Sequence, residues 1–508
     1  MMSSPLPYVV IGAGFGGLAA AVRLRAMGHP VMVVEATDQP GGRASVFRQD
    51  GFTFDAGPTV ITAPHLVDEL FTLVGRNAAD YYDLVPVDPF YRVCFPDGSK
   101  FDYVGEEDRI LAQIQEMSPR DVDGYRKLAA QAKAIFDVGY EQLVDHPFEN
   151  FSDMLRIAPQ MMKLRSFQSV YGLVSSFIKD DRLRQVFTFQ PLLVGGNPYT
   201  TTSIYLLIHW LERKWGVWFP KGGTGALITA LVNLLAELDV PVRLNSPVDR
   251  IEVDNGRAVA VHLEGGERIP CAGVVSNADP SFVYTKLIDQ AHRRTHTDKK
   301  VARKKPSMSL WVAYFGAEKK YDDVAHHTII LGPRYKGLLD DIFEKKVLAQ
   351  DFSLYLHRPT ASDPDLAPAG KEGFYVLSPV PNNRSGLDWG ELNGEYTDRI
   401  MTFLDQTHLP GIKANLSTMR TVDPRYFEKN LRSVDGAAFG IEPTLTQSAY
   451  FRYHNRSEDV AGLYFVGAST HPGAGVPGVL NGAKVLEKVV PRPEVPVAVP
   501  PALRVVAS

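Results

Sequence analysis

Val9-Val10-Ile11-Gly12-Ala13-Gly14-Phe15-Gly16-Gly17-Leu18-Ala19-Ala20 is a short apolar run that breaks into G-x-G-x-x-G and continues as an alanine-rich segment. That pattern predicts a buried strand, a tight turn and a helix. Gly12 permits the turn, Gly14 lets the backbone approach a pyrophosphate, and Gly17 lets helix and strand pack closely. A second apolar run, Val31–Val34, ends at Glu35, whose carboxylate is placed to accept hydrogen bonds from a ribose 2′-hydroxyl and to repel a 2′-phosphate. Strand, glycine turn, helix and acid together predict a Rossmann-like dinucleotide site. Its partner lies near the other end of the chain, in Gly462-Leu-Tyr-Phe-Val-Gly467-Ala-Ser-Thr-His-Pro-Gly473-Ala-Gly475-Val-Pro-Gly478. There a buried strand gives way to bare glycines and then to a fresh helix at Val476-Pro477. Gly467, Gly475 and Val476 are thus candidates for a second cradle, in which a helix N-terminus favours the negative charge of a reduced flavin ring.

Flavin and nicotinamide dinucleotides share this fingerprint, and the following residues separate them. Gly41-Gly42-Arg43 suits a loop under a pyrophosphate, with the Arg43 guanidinium serving phosphate or flavin. Gly51-Phe-Thr-Phe-Asp55-Ala-Gly57-Pro58 is another turn that bares its backbone. In these segments the chain resembles the FAD-dependent amine oxidase and polyene desaturase superfamily. Val194-Gly-Gly-Asn-Pro198, Trp215-Gly-Val-Trp-Phe-Pro-Lys-Gly-Gly-Thr224 and Ser276-Asn277-Ala-Asp279 narrow the resemblance to bacterial-type carotenoid desaturases that act on phytoene. The resemblance implies FAD as cofactor, a flavin-side position for Gly57 and Asn277, and an adenine contact through the backbone of Val248. The C-terminal segment departs from the Gly-Asp pair that many flavoproteins use near the ribityl chain, so Ser469 or Thr470 is expected to substitute there.

Composition sets limits. A chain of 508 residues is too long for one core and implies two or three domains. A net charge of −4 gives no general attraction to nucleic acid. Two cysteines, Cys94 and Cys271, make no disulfide framework and suggest a reducing compartment. No metal motif is present, and the adjacent pair His326-His327 reads as structural, so no metal is expected. Met1 to Pro7 lacks the basic and apolar regions of a signal peptide, and no apolar run reaches the roughly 18 residues of a membrane span. The expected location is the cytoplasm, on the membrane surface.

The expected architecture is α/β: a discontinuous Rossmann-like FAD-binding domain, a mixed-sheet substrate domain and a helical membrane-facing block. Residues 1–75, 215–290 and 455–490 form the first. Residues 76–104 and 291–454 form the second, and 105–214 the third. Thr224–Leu238 reads as a helix, Asp254-Asn255-Gly256 as a hairpin turn, and Ser309–Phe315, Asp351–Leu356 and Phe374–Val380 as strands. Five prolines after residue 490 predict a disordered tail over 491–508.

The implied substrate dictates the reading of the helical block. Phytoene is a hydrocarbon of roughly 40 carbons, and at ~0.8 kcal/mol per buried methylene it does not leave a bilayer for water. Between Met154 and Arg184 six basic residues face two aspartates, a local net of +4, and Met161, Leu164, Phe167, Tyr171, Val174 and Ile178 recur at helical spacing. The stripe suits a lipid-facing helix or, equally, a core-facing one. Trp210, Trp215 and Trp218 suit a tunnel, an interface or core packing.

Such a substrate offers no heteroatom to polarise. Desaturation requires removal of a hydride, stabilisation of an allylic cation and removal of a proton. Asp153, with Arg156 at i,i+3, is the candidate catalytic carboxylate, the alternative being a cap on the helix that follows. A single dinucleotide fingerprint points to dioxygen or a membrane quinone as electron acceptor. Other FAD enzymes on carotenoids or isoprenoids (ketolases, isomerases), amine oxidases, and prenyl-lipid carriers of the GDP-dissociation-inhibitor type are the competing readings. The intact Gly12, Gly14, Gly17, Glu35 and Arg43 set weighs against a carrier.

Overall fold

The computed structural model describes residues 5–501. Five short strands, Leu463–Phe465, Gly273–Ser276, Tyr8–Ile11, Val31–Val34 and Val242–Arg243, lie side by side in that order, all parallel. The first four are almost wholly buried, as continuous apolar strands covered on both faces must be, and the edge strand Val242–Arg243 is half-buried. Helices Phe15–Ala26, Thr224–Glu237 and Val476–Val489 cover this sheet and share one apolar core with it. The hairpin expected at Asp254-Asn255-Gly256 joins Val248–Asp254 to Arg257–Leu263. Asn255 and Gly256 both have positive φ, 47° and 77°, the conformation that a two-residue turn between twisted strands requires.

A second, seven-stranded sheet runs Leu416–Val422, Ser309–Ala317, Glu372–Val380, Leu354–His357, His327–Ile330, Tyr91–Cys94 and Lys100–Tyr103. It is antiparallel except where His327–Ile330 pairs with Tyr91–Cys94. Against one face pack the helices of 105–214, chiefly Val122–Gly139 and Leu207–Trp215, with Tyr125, Phe187 and Phe189 buried between. The stretch 154–184 is broken into Phe151–Lys163, Val170–Ser175 and Asp181–Val186. Of its apolar stripe, Leu164, Val174 and Ile178 are buried in the core, whereas Phe167 is 62% exposed. Trp215 packs on Phe136 and Tyr140, its ring centroid 5.3 and 5.2 Å from theirs, and lies partly buried against the core.

Residues 491–501 carry no helix or strand, but they are tied down rather than free. Arg25 donates to the carbonyls of Val497 and Ala498, Val497 N to Gly28 O at 2.8 Å, and His29 Nε2 lies 3.0 Å from Pro491 O. Proline removes amide donors but leaves carbonyl acceptors, and buried arginines collect them. The rest of the expected tail, 502–508, lies outside the described residues.

Asp55 ties the N-terminal segment of the chain to the helix Thr224–Glu237. From the end of Phe52–Asp55 its carboxylate accepts Thr224 N at 2.9 Å and Gly225 N at 3.2 Å, capping Thr224–Glu237. A Cβ at Gly223 would stand 2.7 Å from Asp55 Oδ2, so the approach demands glycine there. Burial pushes the Asp55 carboxyl up to about 6 despite these bonds. The folded state therefore holds the proton more tightly than the unfolded one, and this contribution is lost as pH rises from about 4 through about 6. Asp55→Asn should flatten that part of the pH dependence of urea unfolding, and Asp55→Ala should lower stability at neutral pH by about 1–2 kcal/mol.

Candidate active site

One continuous cavity of about 950 Å³ runs from the glycine turn of the parallel sheet to the seven-stranded sheet and out past the helix Phe151–Lys163. At its first end the backbone is bare. Gly12, Gly14, Gly16, Gly41 and Gly42 line it together with Arg43 and Gly57. Glu35, 7% exposed, lies beneath them. Its Oε2 accepts Ala13 N at 2.7 Å, and its Oε1 accepts the Thr37 amide and hydroxyl, each at 2.9 Å. Glu35 therefore steadies the turn as well as facing the cavity. Gly17 lies behind the wall, where a Cβ would meet Gly12 O at 2.0 Å, and its role is packing.

Asn277 follows the strand Gly273–Ser276 and fills the space between two turns. A Cβ at Gly14 would lie 2.7 Å from Asn277 Nδ2, at Gly16 2.5 Å from Oδ1, and at Gly467 3.1 Å from Oδ1. Val248, Asn277, Gly467, Gly475 and Val476 all border the same cavity, and Gly475, at φ 90°, caps the helix that begins at Val476. Arg43 donates to Ala438 O at 2.7 Å and to Ser433 Oγ, which holds its guanidinium against the wall. A cradle that side chains would close, a carboxylate at the end of the second strand, an arginine and two helix N-termini suit a flavin dinucleotide.

Ser469 is placed otherwise. It is 2% exposed, lies off the cavity wall, donates to Asp279 Oδ2 at 2.6 Å and accepts Ile441 N at 3.2 Å. Thr470 is fully buried as well. Asp279 claims the Ser469 hydroxyl, Arg452 gathers the carbonyls of Ala468 and Thr470, and neither Ser469 nor Thr470 borders the cavity.

Asp153 and Arg156 are brought together but not to the cavity wall. Asp153 Oδ1 accepts Arg156 Nη2 at 3.0 Å, its Oδ2 stands 3.5 Å from His146 Nε2, and Asn150 N points to it at 3.4 Å across the first turn of Phe151–Lys163. This is the geometry of a helix cap. Met154, Ile157, Ala158 and Met161 of the same helix do reach the wall.

Beyond the glycine end the wall is apolar: Leu192, Leu193, Leu207, Ile208, Leu338 and Ile342 belong to it. Set into it is a polar series that composition did not reveal. Thr59 Oγ1 meets Tyr375 OH at 2.7 Å and Tyr355 OH at 3.1 Å, Tyr355 OH meets His327 Nδ1 at 2.6 Å, and Tyr91 OH donates to Glu212 Oε1 at 2.7 Å. The His326-His327 pair is joined by His357 in a buried cluster whose ring nitrogens lie within 4.8 Å, and burial holds all three imidazoles well below their usual pKa. Glu212 could have been suspected from Leu207–Trp215, where it sits four residues after Ile208 and three after His209, on the apolar face.

Gly14→Val, whose side chain would enter both Asn277 and the cavity, and Glu35→Ala, which frees Ala13 N, should each sharply lower the flavin bound after purification. Near wild-type flavin absorbance in both variants would remove the cofactor from this cradle.

A family model described as flavin-containing amine oxidoreductase matches residues 15–484. The lycopene-forming phytoene desaturase of Pantoea ananas is 50% identical over 479 residues, 94% of this chain and 97% of the relative. The neurosporene-forming phytoene desaturase of Rhodobacter capsulatus is 42% identical, over 96% of this chain and 95% of the relative. Among solved structures, cyclohexylamine oxidase from Brevibacterium oxydans superposes with a TM-score of 0.61 at 17% identity, covering 96% of this chain and all of that one, and so shares the fold. Across the cradle, the order of motifs and the length of the match, the chain belongs to the flavin-containing amine oxidoreductase family, in its branch of bacterial-type phytoene desaturases.

Proposed function

We propose that this protein is an FAD-dependent desaturase that removes a hydride and a proton from membrane-dissolved phytoene and extends its conjugated polyene towards lycopene. The observation that carries the reading is the continuity of one cavity, with a dinucleotide cradle at one end, apolar walls along its length and an apolar helix at its mouth. FAD, when bound, supplies the two-electron acceptor. The chain's own residues do the rest. On this reading 1–75, 215–290 and 455–490 bind the cofactor, 76–104 and 291–454 bind the substrate, and Gly57, Val248, Asn277 and Gly475 hold the dinucleotide through backbone and amide. The leucine walls keep a polyene extended and exclude water, so that a reacting carbon meets few competing nucleophiles.

The mouth is suited to lipid. On Phe151–Lys163, Phe151, Leu155 and Met162 are 51, 63 and 68% exposed, and Phe167 just beyond is 62% exposed. Phe451 lies beside Phe151, ring centroids 6.5 Å apart, and extends the patch. Arg156 and Lys163 are exposed among these residues, within reach of anionic headgroups. No described helix is long and apolar enough to cross a membrane, which fits a surface attachment of this kind. Reoxidation by a membrane quinone or by dioxygen completes the reading.

Purified protein incubated with FAD and phytoene in liposomes should yield more conjugated polyenes, resolved by chromatography. Recovery of unchanged phytoene from flavin-loaded protein would defeat the proposal. Replacing Leu155 and Met162 together by glutamate should reduce sedimentation with liposomes while leaving bound flavin unchanged, and undiminished sedimentation would move the membrane contact elsewhere on the surface.

A further inference from the structure

Only three carboxylates line the cavity among the described residues: Glu35, Asp38 and Glu212. Glu35 and Asp38 belong to the dinucleotide end. Glu212 stands alone among the apolar walls, beside Leu207, Ile208 and Leu211 of its own helix and with Phe189 and Tyr91 also on that wall. It is 1% exposed, and while Oε1 accepts the Tyr91 hydroxyl, Oε2 has no hydrogen-bond partner. A buried, half-satisfied carboxylate in a hydrocarbon channel is costly, and a bare fold would gain by replacing it.

We propose that Glu212 receives the proton that the hydrocarbon loses, with Tyr91 positioning its carboxylate. The inference rests on the desaturase reading. One allylic C–H bond breaks, and FAD, when bound, would supply the acceptor for its hydrogen and electron pair as hydride. A C–H bond on the adjacent carbon then breaks, its proton passes to Glu212 Oε2, and its electron pair becomes the second bond of the new C=C. Each double bond thus costs two electrons to FAD and one proton to the carboxylate, which must release it before the next cycle. The ionised carboxylate also offsets the positive charge on the polyene between the two events.

The surroundings fit a base that must lose its proton again. Burial raises Glu212 to about 7, while the Tyr91 hydroxyl pulls the other way by favouring the anion. From its own helix, His209 is kept neutral by burial, at about 3, with Nδ1 on Tyr103 OH at 2.6 Å, and Arg213 turns to Glu107 at 2.8 Å. His327, whose ring centroid is 5.8 Å from that of Tyr91, is likewise held neutral by burial. His471, the one histidine on the wall, is held by burial and by Arg452 at about 3, too weak a base to retain a proton.

The test uses the full-length, FAD-loaded protein with phytoene in liposomes. Glu212→Gln should cut turnover per bound flavin by about 10²–10⁴-fold while flavin content and unfolding midpoint stay near wild type. Wild-type turnover should rise with pH through about 7, and Glu212→Gln should lack that limb. An infrared carboxyl band that titrates near 7 in the wild type should be absent from Glu212→Gln. In Tyr91→Phe, which removes a donor to the anion, both the band and the limb should move to higher pH. This shift would not follow from a merely structural role. Glu212→Gln turnover near the wild-type rate overturns the assignment, as does loss of turnover in Asp153→Asn but not in Glu212→Gln. If the wild type leaves phytoene unchanged, the desaturase reading fails and takes this inference with it; if the wild type converts phytoene and Glu212→Gln does too, only the inference fails.

Discussion

The side chain of Asn277 fills the one space into which both glycine turns must fit. Gly14, Gly16 and Gly17 approach it from the N-terminal turn and Gly467 from the C-terminal one, all so closely that a Cβ would press on it. That packing exists only if the strands before these turns, Tyr8–Ile11, Gly273–Ser276 and Leu463–Phe465, pair in register, and the registers observed (Val10 with Val275, Val275 with Tyr464) put all three turns at the same edge of the sheet. A cofactor cradle drawn from segments over 440 residues apart is thus set by the parallel ladder. Asp55 locks the intervening insertion by capping Thr224–Glu237 from the first segment. The arrangement is the usual one for an open α/β sheet, with the ligand at the carboxyl ends of the strands.

The seven-stranded sheet supplies a different solvent. Its residues Tyr355, Tyr375 and Leu377 face the cavity together with the leucines of the helical block, and little water competes for the polar groups stranded there. Burial accordingly raises Tyr355 and Tyr375 and depresses His327 and His357, which leaves the hydroxyls protonated and the imidazoles neutral. Only a carboxylate with a donor such as Tyr91 retains access to both protonation states near neutral pH. The medium that dissolves a polyene is therefore the same medium that tunes Glu212.

What could be read in the sequence follows from the range of the physics involved. The turn Gly12–Gly17, the acid Glu35, the hairpin at Asn255-Gly256 and the helix from Thr224 are local signals, because backbone sterics and short spacing decide them. Long-range contacts decided the remainder. Ser469 has the local sequence of a ligand contact, but Asp279, 190 residues away, takes its hydroxyl. The stripe through Leu164, Val174 and Ile178 had helical spacing, but the chain breaks after Lys163 and again after Ser175, so the three residues fold into the core and leave exposure to Phe151, Leu155, Met162 and Phe167. Glu212 carries only the weak local signal of its place on an apolar helix face, and its significance lies in the apolar walls that other segments bring to it.

The helix Phe151–Lys163 is apolar on two faces, and this resolves how a water-insoluble substrate can meet a buried carboxylate. Its Met154, Ile157 and Met161 belong to the cavity wall, Leu155 faces outward, and Met162, 68% exposed, borders the cavity at its mouth. A helix serving only the core would need one such face, and a helix lying on lipid alone would have its second face polar. On the membrane-surface reading proposed above, a hydrocarbon passing from bilayer to cavity would exchange one apolar contact for another without crossing water, so the transfer would carry almost no hydrophobic penalty. Asp153 and Arg156 pair at the head of this helix, 3.0 Å apart, and both lie off the cavity wall. Glu212, whose Oε2 has no hydrogen-bond partner, is the carboxylate among the apolar walls of this cavity. Entry and proton transfer are in this way separated along one cavity, the first governed by the outward face of a helix and the second by a single hydrogen bond from Tyr91.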